Sequence, residues 1–157
     1  MDLINFIAGL LSGLISGVVV GYVIEHYRLK NGLKIERIKR LMPHIEVVHP
    51  IVEELRDDLA YLQKTQTRTE SEDDPNFMQK ICRTLDKYGA WYTQFQSNGL
   101  KPELGATNKE LFAYLNGLSV HSKMAKKYGQ DYVLREINQI SKSARVCVSM
   151  IEQFLRS

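Results

Sequence analysis

Two stretches of this chain set cations among aromatic rings. One runs from Arg83 through Lys87, Tyr88, Trp91 and Tyr92 to Phe95; the other runs from His121 through Ser122, Lys123, Lys126, Lys127 and Tyr128 to Gly129. That mixture suits a phosphorylated ligand carrying bases, because Arg and Lys neutralise phosphates while aromatic rings stack on bases. Arg83 and Lys87 share a helix face, as do Lys123 and Lys127, since residues four apart are neighbours on a helix surface. The candidate ligand-binding residues are therefore Arg83, Lys87, Trp91, Tyr92, His121, Ser122, Lys123, Lys126, Lys127 and Tyr128. Each stretch also has a plainer reading. Tyr88, Trp91 and Phe95 fit the core stripe of a helix, and a run of lysines near a helix C-terminus suits its dipole.

Catalytic chemistry finds no foothold. The chain has no phosphate loop, nucleophile elbow or HExxH motif, so no catalytic residue is expected. Cys82 and Cys147 have no CxxC spacing, which speaks against a zinc site and for buried free thiols. His44, Glu46 and His49 cluster around Pro43 and Pro50, but a five-residue gap places two histidines poorly on one helix face. They read as a surface turn and not as metal ligands. The acids Glu53-Glu54 and Asp57-Asp58 read as the solvated face of an amphipathic helix. No metal and no resident cofactor are expected.

The elements that would carry these residues start with a membrane anchor. Leu3 to Ile24 is a run of 22 residues without a charge. As a helix it would be roughly 33 Å long, enough to cross a hydrocarbon core of about 30 Å. Met1-Asp2 lacks the cationic start of a cleaved signal peptide. Arg28, Lys30, Lys34, Arg37, Lys39 and Arg40 follow the run, opposed only by Glu25 and Glu36. The positive-inside rule then places the C-terminal domain in the cytoplasm. Within the run, Gly9, Gly13, Gly17 and Gly21 recur every fourth residue, with Ser12 and Ser16 in a parallel row. Such a strip lets helix backbones approach closely in lipid, which predicts a homo-oligomeric bundle of spans. Glycine-rich membrane helices without that role are the alternative.

The rest reads as an all-α cytosolic bundle of about four helices. The span should continue as a basic juxtamembrane helix over 25–42 and end at Pro43, leaving 43–157 as the helical sensor domain. A second helix should begin near Pro50, carrying Ile51, Leu55, Leu59 and Leu62. Thr65 to Asn76 is polar and acidic and reads as a loop. Asp74-Pro75 should open a third helix that closes at Ser97-Asn98-Gly99. Thr107 with Glu110 forms a capping box for a fourth, which stops at Gly129. A fifth starts near Asp131. The formal net charge of +3 is mild and concentrated beside the span, so duplex nucleic acid is not an expected partner.

With one span carrying Gly9, Gly13, Gly17 and Gly21, a basic juncture from Lys34 to Arg40 and a small helical sensor behind it, the chain resembles the small membrane effectors of type III CRISPR antiviral defence that cyclic tetra-adenylate activates. The resemblance covers the plan of the whole chain and assigns no binding residue. It implies a homotetramer in the bacterial inner membrane that binds the cyclic oligoadenylate in its cytosolic domains and then perturbs or permeabilises the bilayer. A membrane-tethered adaptor whose helical domain docks a protein partner is the competing expectation.

Overall fold

The computed structural model describes the backbone of residues 3–66 and 75–157 and the side chains of residues 19–65 and 76–157. The described chain is all-α, with α1 (Leu3–Gln66), α2 (Pro75–Ser97), α3 (Leu100–Thr107), α4 (Lys109–Tyr128) and α5 (Gln130–Leu155). It divides into two units, residues 1–38 and 39–157.

In the first unit every described side chain from Val19 to Arg37 is exposed, including Val20, Ile24 and Tyr27. Among the described residues no helix is long and apolar enough to cross a membrane. The expected span covers 3–24, and Gly9, Ser12, Gly13, Ser16 and Gly17 lie outside the residues whose surroundings are described. Gly21 is described; it is exposed, and a Cβ added there would meet nothing within 4 Å. The acidic loop expected over Thr65–Asn76 also falls largely outside, on residues 67–74.

The second unit holds the core. On α1 the buried apolar residues are Leu41, Ile45, Val48, Val52, Leu55, Leu59 and Leu62, at spacings alternating between four and three. That is the 3.5-residue repeat of a packed helical seam. The expectation of a break at Pro43 and a new start near Pro50 is corrected, because α1 runs through both prolines. Each proline removes a backbone N–H and clashes with the preceding turn, an interior cost of about 3 kcal/mol. Both sit on the solvent side, two residues beyond a buried seam position and seven residues apart. The carbonyls of Lys39 and Glu46, deprived of their i+4 donors, belong to exposed residues, where water can satisfy them. The burial of seven apolar side chains, each contributing on the order of 1.5–3 kcal/mol, outweighs the two defects.

The remaining helices bury matching stripes. Met78, Ile81, Leu85, Tyr88, Trp91, Tyr92 and Phe95 line α2; Leu111, Leu115 and Leu118 line α4; Val133, Ile137, Ile140, Ala144, Val148 and Ile151 line α5. The expected ends of α2 and α4 hold. Gly99 and Gly129 take φ of 70° and 68°, the left-handed region where a side chain would be strained. The helix α3, between Gly99 and Asn108, was not expected; Leu100 and Leu104 bury its one apolar edge. The capping box at Thr107 is corrected. Asn108 is the N-cap of α4, its Oδ1 accepting from the Leu111 N–H at 3.0 Å, while Thr107 donates backwards to the Glu103 carbonyl at 2.7 Å. Both Cys82 and Cys147 are free thiols, the first half-buried and the second buried.

Polar ties join α1 to the bundle. Trp91 Nε1–H donates to the His44 carbonyl at 3.1 Å, beside the proline segment. Gln63 donates to Asn138 at 2.8 Å and accepts from Ser141 at 3.1 Å. Asp58, expected on a solvated face, is 8% exposed and accepts from Lys80 Nζ at 2.7 Å.

Because both prolines are exposed inside a helix, Pro43→Ala and Pro50→Ala should each stabilise the fold, by about 1–2 kcal/mol. Chemical denaturation of the full chain in detergent checks this. A loss of stability in either variant would mean that the proline itself helps to seat the α1 seam.

Candidate functional site

The contact between α2 and α4 begins with an absent side chain. A Cβ built on Gly89 would overlap the Ser122 hydroxyl. With none there, Ser122 is buried between the helices and donates to the Leu85 carbonyl at 2.8 Å. One turn away Tyr88 Oη donates to the Leu115 carbonyl at 2.6 Å, and Tyr92 Oη donates to Asn116 Oδ1 at 2.9 Å. These bonds satisfy polar groups that burial would otherwise leave costly. Burial also pushes the Tyr88 phenol well above its ordinary pKa, and that of Tyr92 upward, so both remain neutral donors.

The same two helices wall a cavity of about 360 Å³, which Gly89 and Ser122 also line. The α2 wall is Asp86, Gly89, Ala90, Tyr92, Thr93 and Gln96, and the α4 wall is Ser119, Ser122, Lys123 and Lys126. The volume lies at the small end of the range for ligand sites. Lys123 and Lys126 are exposed at its rim and have no ion-pair partner among the described residues. Asp86 is the single acid in the wall, and Thr93, Gln96 and Ser119 add hydrogen-bonding groups.

Four of the ten residues expected to bind ligand therefore meet in one place: Tyr92, Ser122, Lys123 and Lys126. The others do not line it. Arg83 is exposed on α2, and Lys87 turns toward α1, with Nζ 4.0 Å from Glu54. Trp91 is 8% exposed, stacked on Phe95 at 5.0 Å and tilted against Tyr88 at 5.6 Å. Tyr92 is 4% exposed. Trp91 and Tyr92 are thus core side chains, and of the three candidate rings Tyr128 alone is exposed. His121 is half-buried with Nδ1 2.7 Å from Tyr132 Oη on α5; burial lowers its pKa, partly offset by Glu136. Lys127 lies over the exposed Tyr128 ring at 5.0 Å.

The wall residues that sequence reading missed are Asp86, Gly89, Ala90, Thr93, Gln96 and Ser119. Their signal was present in the spacing. Small or polar residues recur at 86, 89, 90, 93 and 96 along one side of α2, and a mid-helix glycine without a turn to make implies close approach. The chain matches no protein-family model, no curated protein and no solved structure.

The close approach can be measured. Gly89→Ala should cost about 1–3 kcal/mol by overpacking, and Ser122→Ala about 1 kcal/mol by loss of its hydrogen bond. Removing the hydroxyl leaves the new Cβ at an ordinary 3.5 Å from Ser122 Cβ, so the double variant should lose less than the sum of the two. Additive losses in a denaturation cycle would show that these residues do not set the helix spacing.

Proposed function

We propose that the protein is a membrane-anchored receptor and not an enzyme: its helical domain takes a small phosphorylated ligand in the α2–α4 cavity, and its assembled spans respond by perturbing the bilayer. The observation that carries this reading is the pair Lys123 and Lys126, two cations without ion-pair partners among the described residues, at the mouth of a cavity walled by hydroxyl and amide groups. An unpaired lysine is a ready partner for phosphate, and the Gln96 amide in the wall adds N–H donors, whereas the hydroxyls of Tyr92, Thr93, Ser119 and Ser122 already donate within the fold. The cavity suits one nucleotide-sized unit. A cyclic oligoadenylate, the ligand that the resemblance supplies, would place one unit in each protomer of a symmetric assembly, most simply a homotetramer. The role in antiviral defence rests on that same resemblance.

The anchor supports the reading from the other end of the chain. Leu3 to Ile24 is free of charge, its glycines fall on one helical face, and the described side chains of residues 19–24 are uncovered by their own unit. Lipid and neighbouring copies are the partners such a surface fits. The ligand would act by binding one packing of the spans better than another. The basic run from Arg28 to Arg40 sets the helical domain in the cytoplasm, at the inner membrane.

The two lysine neighbours separate the cavity from mere charge. In vesicles reconstituted with the protein, cyclic tetra-adenylate should cause dye leakage. Lys123→Glu and Lys126→Glu should each abolish it, whereas Lys127→Glu should leave it within about twofold of the parent, because Lys127 does not line the cavity and lies over the Tyr128 ring instead. Leakage that survives Lys126→Glu would remove the cavity from the site. Equal loss in Lys127→Glu would make the effect one of overall charge.

A further inference from the structure

We infer that His49, Glu53 and Glu152 form a binding site for a borderline divalent transition cation such as Zn²⁺, clamping α1 to α5. His49 and Glu53 are one helical turn apart on α1 and face Glu152 on α5; one ligand atom from each lies within 4.8 Å of the other two. Donors around a common ion of this class stand roughly 3 to 3.5 Å apart, given metal–ligand distances near 2.0–2.2 Å. Small side-chain rotations would close the set.

Three features favour an ion over a plain ion-pair cluster. His49 Nε2 is buried and has no hydrogen-bond partner, and its nearest carboxylate oxygen, Glu53 Oε1, is 3.8 Å away. A buried imidazole nitrogen without a partner is costly, and a cation would satisfy it. Both carboxylates are held loosely: Glu53 lies 3.7 Å from Arg56 and Glu152 lies 3.8 Å from Arg156. Of the two arginines beside the set, Arg56 spends its short bond at 2.8 Å on Asp57 Oδ1 and would remain there when an ion entered, and Arg156 is exposed and free to swing into solvent. The donors, one imidazole and two carboxylates, match borderline metals, and their partial exposure leaves room for water to complete the coordination. His44, which the sequence grouped with His49, is elsewhere, its ring edge-on to Phe95 at 6.3 Å. This site is independent of the α2–α4 cavity.

The test uses the full chain in detergent, stripped with a chelator and titrated with Co²⁺ followed by visible absorption, and with Zn²⁺ followed by calorimetry. One ion per chain is expected, with a rise in melting temperature because the ion binds only the folded arrangement. His49→Gln and Glu152→Gln should each weaken binding at least tenfold, while His44→Gln should leave it unchanged. If His49→Gln does not fold, the Glu53→Gln/Glu152→Gln double variant reads the same loss. No binding, or binding that these variants leave within twofold, meaning an adventitious ion only, would overturn the site.

Discussion

Helices α2 and α4 lie as close as they do because residue 89 has no side chain. The Ser122 hydroxyl occupies that space and bonds to the Leu85 carbonyl. Much of the bundle depends on this contact. It fixes the distance over which Tyr88 and Tyr92 reach across to Leu115 and Asn116, and its own residues Gly89 and Ser122 line the cavity. A β-carbon at position 89 would press on all of these at once. Protein interiors are packed too densely to absorb such a change locally.

The second constraint is the α1 seam. The core needs Leu41, Ile45, Val48, Val52, Leu55, Leu59 and Leu62 on one continuous face, and the chain delivers it despite two interior prolines. Local propensity predicts a break at each proline, and tertiary burial overrides it. The override succeeds because both prolines fall on the face that water covers. This is why the sequence was misleading between Leu41 and Ile51: the heptad pattern was present, but proline is so strong a punctuation mark that the pattern on either side of it went unjoined. Glycine was a truer guide. Gly99 and Gly129 both terminate helices in the left-handed region, where they were expected to. The cap of α4 escaped because Thr107 and Asn108 are both good caps, and only the backbone path between α3 and α4 chooses Asn108.

The site was half legible for a similar reason. Lysines advertise themselves, and Lys123 and Lys126 do stand together at the cavity. Aromatic residues do not reveal their direction. A ring that could stack on a base and a ring that fills a core have the same spacing, and Trp91 and Tyr92 fill the core. The polar wall of α2 was hidden by its plainness, since Thr93 and Gln96 carry no motif. The set His49, Glu53 and Glu152 could not be read from the sequence, because Glu152 is about a hundred positions away and reaches the others only through the packing of α5 on α1.

An uncharged glycine-striped segment and a helical domain with a lysine-rimmed cavity share one chain, and in the proposed function the second senses a phosphorylated ligand on behalf of the first. The most direct test is binding of the purified, detergent-solubilised chain to a panel of cyclic nucleotides, with the mass of the complex measured by light scattering. The account predicts submicromolar binding of one cyclic oligoadenylate, at one ligand for several chains. A well-folded oligomer that binds none of them would contradict it and turn the search toward a protein partner.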